Sequence, residues 1–230
     1  MCTVVILRRP GDPWPLLLAA NRDERLDRAW DPPAPHWPER RGVVGGRDRT
    51  GGGTWMALRG GLVAAVLNRP GSLGPAPGKR SRGELPLLAL DSGSAAEAAS
   101  RIAALDGGEW RPFNMVVADA RQAVFLRGLG AGHPEAVPLP EGVSMVTAHD
   151  PNDLSSPRTR RHLPRFRAAP PPDPGTDDWT AWEALLADDG FGTVCASLLA
   201  LGTAGARRWR FSPSRPVPGG FEDIALEDAP

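Results

Sequence analysis

The chain lacks several features that would point to common functional classes. It contains no tyrosine, which excludes tyrosine-based catalysis and tyrosine ligation of a metal. Its two cysteines are too few for a disulfide framework or a CxxC metal site, so we expect reduced thiols. Its 27 basic and 27 acidic residues balance, whereas a dedicated nucleic-acid surface normally brings a basic excess. We therefore expect no nucleic-acid partner and no disulfide scaffold.

A second group of absences concerns membranes and export. The apolar run at 3–7 is too short for a signal peptide and is followed at once by Arg8 and Arg9. No stretch reaches the about 18 consecutive apolar residues that a membrane-spanning helix requires. The sequence therefore predicts a cytoplasmic protein with no membrane span.

The pattern that is present is a succession of short strands and short helices. Apolar runs separated by turn residues predict strands at 3–7, 16–20, 51–58, 60–68, 113–119, 123–129, 143–150, 193–201 and 207–213. Helical patterns predict helices at 84–91, 94–106, 156–169 and 179–189. Pro164 is expected to interrupt the third helix, and residues 30–53 are expected to form a loop. Helices segregated from antiparallel hairpins are typical of an α+β fold.

Cys2 directly follows the initiator methionine, and its position is the first chemical signal. Methionine removal is generally favoured before a small residue, and it would give Cys2 a free α-amine. That amine would have a pKa of about 7.7–8.0, so it can accept a proton from the thiol near neutral pH. The alternative is an inert thiol at the start of an edge strand. The other cysteine, Cys195, lies inside an apolar run and is expected to be a buried core residue.

Polar side chains stand where three of the predicted strands end. Asn21, Arg22 and Asp23 follow the second strand, Asn68 closes another, and His149 stands at the end of a third. Because the ends of a hairpin lie side by side, the first group is expected near the amino terminus. Asp23 would orient the amine, Asn21 or Arg22 would bind a carboxylate or an oxyanion, and Asn68 would donate to an oxyanion. The alternatives are a salt-bridge cluster in a loop for the first group, and turn residues for Asn68 and His149.

Six short motifs, taken together, resemble one known family. They are "MC" at the amino terminus, "AANRDE" at 19–24, "GGTW" at 52–55, "RGEL" at 82–85, "FNMVVAD" at 113–119 and "FGT" at 191–193. In this order they resemble the NRDE family, which includes the transport and Golgi organisation proteins of eukaryotes. The resemblance implies an N-terminal-nucleophile hydrolase fold, a four-layer αββα sandwich of antiparallel sheets. We expect a single NRDE-type domain over residues 1–230.

The strand-end pattern also resembles the choloylglycine and penicillin V acylases, which share that fold. The likeness implies that Cys2 matches the nucleophile, Asp23 the acid and Asn68 the first of two asparagines. Arg22 is offset from the arginine of the acylases, which leaves its role open.

Two positions depart from the family pattern. His149, preceded by alanine, stands where the family has serine and asparagine, and Val194 stands where the family has an arginine. Loss of one oxyanion donor typically lowers turnover by about 10²–10³. His149 would then donate a hydrogen bond in place of the missing amide.

Two functional hypotheses follow from these observations. Members of the NRDE family are linked to intracellular haem trafficking, so non-covalent haem binding is the first, with haem donor or acceptor proteins as partners. The chain has no CxxCH motif for covalent attachment, and no metal centre is predicted. Propionates would pair with arginines at 69–82 or 158–161, and axial ligands would come from the two cysteines, the methionines, His36, His133, His149 or His162. The second hypothesis is a cysteine amidohydrolase that cleaves a non-peptide C–N bond of a small molecule.

Overall fold

The structure is a computed structural model that describes residues 2–188 and 193–226. Its elements in chain order are β1 (Thr3–Arg8), β2 (Leu16–Asp23), β3 (Trp30–Ala34), β4 (Val43–Asp48), β5 (Met56–Arg59), β6 (Leu62–Asn68), α1 (Glu84–Ala89), α2 (Ala95–Ala103), β7 (Phe113–Ala118), β8 (Ala123–Gly128), β9 (Glu135–Pro138), β10 (Gly142–Val146), α3 (Pro157–Ala168), α4 (Thr180–Leu186), β11 (Thr193–Leu201), β12 (Arg207–Ser212) and β13 (Glu222–Asp223). Contacts divide the described residues into two compact units, residues 2–27 with 140–226 and residues 28–139. The single-domain expectation stays a prediction.

The first unit contains an antiparallel sheet with the strand order β10-β1-β2-β11-β12-β13. One face of this sheet packs against α3 and α4, because every second residue of its central strands is apolar and buried. Within that core the rings of Phe166 and Trp182 meet edge to face at 5.3 Å. The core residues include Val5, Leu17, Ala19, Met145, Leu163, Phe166, Trp179, Trp182 and Leu198.

The second unit contains an antiparallel sheet with the strand order β3-β4-β5-β6-β7-β8-β9. Helices α1 and α2 supply apolar side chains to its core, among them the fully buried Leu85 and Ile102. Ser94 caps α2 by accepting a hydrogen bond from the Glu97 amide. The α+β class with antiparallel sheets is thus confirmed. No helix within the described residues is long and apolar enough to cross a membrane.

The loop expected at 30–53 is wrong, because β3 and β4 form there. Strand β3 is the outermost strand of its sheet, where its two prolines do not interrupt a hydrogen-bonded ladder. Strand β4 carries Gly45 and Gly46 because its neighbours lie too close for side chains. A Cβ on Gly45 would come within 2.5 Å of the Ala57 Cβ, and one on Gly46 within 2.2 Å of the Trp55 ring. Proline and glycine therefore mark strand contacts here rather than a loop.

Three other details also differ from expectation. Helix α3 continues through Pro164: the proline is exposed, while Leu163 before it and Phe166 after it are buried in the core of the first unit. Strand β2 runs on through Asn21 and Arg22 to Asp23, so these residues belong to the strand rather than following it. Strand β10 ends at Val146, before His149. The short strands β9 and β13 had no counterpart in the sequence pattern.

Candidate functional site

The first unit brings the ends of several strands together beside Cys2. Strand β1 pairs with β2 so that Thr3 lies opposite Asn21, as the hairpin predicted. On its other side β1 pairs with β10, where Val4 lies opposite Val146. Extending the β1–β2 register by one residue places Cys2 opposite Arg22.

The Cys2 thiol is half-buried and lies against the backbone of β2. Its Sγ is 3.7 Å from the carbonyl oxygen of Asp23. Burial raises the pKa of this thiol above its ordinary value. The charge of the amino terminus and the backbone hydrogen bond with Asp23 oppose that rise, the negative charge of Asp23 adds to it, and the positive charge of Arg22 opposes it. A thiol with a raised pKa is a poor nucleophile near neutral pH unless a base removes its proton.

The Asp23 carboxylate is the centre of a buried polar network. Arg158, in the first turn of α3, places its Nη1 2.6 Å from Asp23 Oδ2, and the two side chains are 14% and 5% exposed. Thr193 Oγ1 donates to Asp23 Oδ1 at 3.2 Å and accepts a hydrogen bond from Asn21 Nδ2 at 3.0 Å. Arg158 Nη1 also donates to Thr3 Oγ1 at 3.2 Å. The Asp23 carboxylate thus connects β2 with β11 and α3, and Arg158 extends the network to β1.

The face of β2 explains why Asn21 and Asp23 join this network while Arg22 does not. Alternate residues of a strand point to opposite faces, and Leu17 and Ala19, on the same face as Asn21 and Asp23, pack in the core that α3 and α4 cover. Arg22 therefore points to the other face of the sheet.

Arg22 is 4% exposed and lies opposite Cys195 of β11. It forms an ion pair with Glu24 at 3.8 Å. Burial raises the pKa of Cys195 to about 12, with Arg22 opposing that rise, so this thiol stays protonated. Cys195 is 1% exposed, which confirms it as a core residue, and both cysteines are free thiols as expected.

The two remaining predicted site residues lie in different units. His149 is half-buried, three residues beyond the end of β10, and its backbone amide donates to Thr147 Oγ1 at 3.3 Å. Since β10 is the neighbour of β1, His149 follows the strand that lies beside Cys2. Asn68 ends β6 in the second unit, opposite Phe113 of β7. Its role as an oxyanion donor stays a prediction.

Sequence reasoning missed Arg158 and Thr193 as members of the site. Arg158 was named only among the arginines at 158–161 that would pair with a propionate, yet its charge is directed at Asp23. One signal was present: Ser156 caps α3 by accepting a bond from the Thr159 amide, so the first helical turn follows soon after β10. Thr193 is the last residue of the "FGT" motif, whose first two residues lie outside the described part of the chain.

Val194, where the family pattern has an arginine, is 9% exposed and sits at a bulge of β11. The register shifts between Thr193, opposite Asp23, and Cys195, opposite Arg22. The extra residue leaves Thr193 beside the carboxylate that it contacts.

Two of the family motifs have a structural explanation instead of a chemical one. Gly53 of "GGTW" and Gly83 of "RGEL" touch through their backbones, and the Thr54 amide donates to the Gly83 carbonyl at 2.9 Å. A Cβ on Gly53 would lie 2.4 Å from the Gly83 carbonyl carbon. Both glycines are therefore required for the close approach of two backbone segments.

The arginines proposed as propionate partners in the 69–82 loop already bind protein groups. Arg69 donates to Asn114 Oδ1 at 2.5 Å, and Arg82 donates to the Ser72 carbonyl at 2.6 Å. Arg80 forms ion pairs with Glu84 at 2.7 Å and Glu109 at 2.9 Å. The arginine side chains of this loop therefore bind groups of the protein itself.

The four histidines occupy different environments. His162 is 1% exposed inside the first unit, and the exposed His133 bonds through Nδ1 to the Leu105 carbonyl. His36 lines a cavity of about 380 Å³ in the second unit, together with Arg47 and Arg49. Within the described residues, no group of three or more His, Cys, Asp or Glu side chains is arranged to hold a metal ion.

Comparison with solved structures identifies the fold. The chain is similar to the N-acylethanolamine-hydrolyzing acid amidase ortholog of Caenorhabditis elegans, with a TM-score of 0.61 and 11% sequence identity. The match covers 86% of this chain and 92% of that one. An N-terminal-nucleophile hydrolase-like fold is therefore confirmed.

Comparison of sequences identifies the family. No curated protein sequence matches the chain significantly. The family model described as Transport and Golgi organisation 2 matches residues 1–159, a segment that includes Cys2, Asp23, His149 and Arg158. Because this match covers more than half of the chain, the chain belongs to the Transport and Golgi organisation 2 family.

Proposed function

We propose that the protein is a cysteine amidohydrolase that cleaves a non-peptide amide bond, with Cys2 as its N-terminal nucleophile. The observation that carries the proposal is the contact of the Cys2 thiol with the Asp23 backbone, beside a carboxylate held by Arg158 and Thr193. The similar solved structure is that of an amidase, which supports the same reaction class.

The raised thiol pKa makes the N-terminal amine necessary to the mechanism. A thiol with a raised pKa supplies little thiolate near neutral pH, so attack requires a base next to the sulfur. After removal of Met1, the α-amine of Cys2 would be attached to the same residue and would titrate at about 7.7–8.0. It would take the thiol proton as the sulfur attacks the amide carbonyl carbon.

The remaining steps follow from that attack. The tetrahedral intermediate collapses as the C–N bond breaks, and the protonated amine of Cys2 returns the proton to the leaving nitrogen. A thioester on Cys2 remains, and water hydrolyses it to a carboxylic acid and the free thiol. In this proposal His149, beyond the end of the strand beside β1, donates a hydrogen bond to the oxyanion.

The direct test is turnover of a panel of N-acyl amides that vary in acyl length, followed by release of the free amine. Cys2→Ala should abolish turnover, while Cys195→Ala should retain it, because Cys195 is buried and protonated. The two substitutions remove the same atoms from the two thiols, which makes them matched controls. Equal turnover by Cys2→Ala and the unaltered protein would exclude the mechanism.

Haem binding, the function that the family resemblance implies, has one supporting observation in the second unit. His36 Nε2 lies 2.8 Å from the Pro32 carbonyl oxygen and must donate to it, which leaves Nδ1 available for iron. Arg47 and Arg49 line the same cavity and both bind Asp31. Asp48 also lines it and pairs with Arg28, so three positive charges face two carboxylates there. A haem propionate would meet the remaining positive charge.

Titration with haem, followed by absorbance, tests this second candidate. His36→Ala should weaken haem binding at least tenfold, a cost of about 1.4 kcal/mol or more, because it removes the imidazole that would hold the group. His133→Ala is the matched control, because His133 is exposed, and this variant should bind haem as the unaltered protein does. Unchanged binding by His36→Ala would remove the support that the cavity gives.

A further inference from the structure

Arg158 makes two contacts at the end of the strands that carry Cys2. Its Nη1 lies 2.6 Å from Asp23 Oδ2 and 3.2 Å from Thr3 Oγ1. Thr3 is the residue after Cys2, and Asp23 supplies the carbonyl that contacts the Cys2 sulfur. The Arg158 guanidinium therefore holds both Thr3, the residue after Cys2, and Asp23, the residue that the Cys2 thiol contacts.

Stability alone does not account for a buried ion pair at this position. Removing two charges from water costs about as much as their attraction returns, so such pairs are often replaceable by apolar residues without loss of stability. The pair nevertheless lies at the strand ends, where four elements meet around one carboxylate. Its location beside Cys2 indicates a role in the chemistry of that residue.

The charges around Cys2 indicate how Arg158 would affect the ionisation of the thiol. The charge of the amino terminus lowers the pKa of the thiol, as does the backbone hydrogen bond with Asp23. On β2, the carboxylate charge of Asp23 raises this pKa, and the positive charge of Arg22 lowers it. On β11, the Cys195 thiol is neutral, and Thr193 contacts the Asp23 carboxylate without adding charge. His149 follows β10, the strand beside β1. From α3, Arg158 supplies the cation that balances Asp23 directly.

We infer that Arg158 is the positioning residue of this site, which holds Asp23 in place and offsets its charge so that the Cys2 thiol can ionise and react. The inference deepens the proposed function and rests on it for the identity of the nucleophile. Arg158 does not contact the sulfur itself, so it acts through Asp23 and Thr3.

The experiment measures the rate at which iodoacetamide alkylates Cys2 as a function of pH, with the modified residue located by mass spectrometry. Arg158→Gln should raise the midpoint of the titration by about 0.5–1 pH unit and slow alkylation near neutral pH by about three- to tenfold, because the Asp23 carboxylate then loses the cation that pairs with it. Arg161→Gln is the matched control. That arginine lies on the same helix, is 54% exposed and pairs with Asp188, so the midpoint should not change.

Two more variants separate an electrostatic role from a structural one. Arg158→Lys retains the positive charge and should keep most of the normal midpoint. Asp23→Asn removes the negative charge and should lower the midpoint by about 0.5 pH unit, and adding Arg158→Gln to it should then have a much smaller effect than in the unaltered protein. Should Arg158→Gln fail to fold, Asp23→Asn provides the test alone.

An unchanged midpoint in Arg158→Gln, or in Asp23→Asn, would overturn the inference. Alkylation requires no amide turnover, so the outcome for Arg158 is independent of the substrate panel. A shifted midpoint without turnover of any amide would contradict the proposed function and leave the inference about Arg158 standing. Turnover of an amide together with an unshifted midpoint would support the proposed function and overturn the inference about Arg158.

Discussion

The buried His162 on α3 should make the protein lose stability as the pH falls. This side chain is 1% exposed, and burial lowers its pKa to about 4, with Arg161, Arg165 and Arg158 acting in the same direction. The unfolded chain would bind the proton at about 6.5, so folding favours the neutral ring. The contribution is fully present above the unfolded pKa and is lost as the pH falls towards about 4.

The magnitude follows from the two pKa values. Between about pH 7 and about pH 5 the free energy of unfolding should fall by about 2 kcal/mol from this group alone. Urea denaturation at the two pH values measures the loss, and His162→Gln should reduce it by most of that amount. His133→Gln is the control, because His133 is exposed. An equal loss in His162→Gln and the unaltered protein would refute the reasoning.

Two further predictions concern backbone positions. Gly53→Ala should lower the free energy of unfolding by about 1–3 kcal/mol, since its Cβ would press on the Gly83 backbone, whereas Gly61→Ala, which meets nothing within 4 Å, should be nearly neutral in urea denaturation. A harmless Gly53→Ala would contradict the close contact. Pro164→Ala should raise stability by about 1–2 kcal/mol, because it restores an amide donor on an exposed helix position, and a thermal melt that does not rise would contradict this account.

Local patterns predicted most of the fold. The hairpins at β1–β2 and β7–β8 follow from apolar runs separated by turn residues, because their partners are neighbours along the chain. The strands β3 and β4 escaped prediction for the opposite reason. Their prolines and glycines are tolerated only because of where the strands lie in the sheet and how closely their neighbours approach, and neither fact is visible in a local window.

The candidate site was predictable only in part for the same physical reason. Hairpin geometry places Asn21 opposite Thr3 and so brings β2 to Cys2, which needs no tertiary information. The partners of Asp23 come from α3 and β11, far away in sequence. Whether these partners lie beside Asp23 depends on the strand order of the sheet and on the packing of α3, which a local sequence pattern does not show.

The mass of the intact purified protein, before and after exposure to a thiol-directed probe, shows whether Cys2 is a reactive N-terminal nucleophile. We expect a mass without Met1, and rapid addition of one probe that is lost in Cys2→Ala. Cys195 should not react in the folded protein, since it is 1% exposed. Retention of Met1 together with an unreactive Cys2 would contradict the account, because the thiol would then lack the α-amine that the mechanism requires.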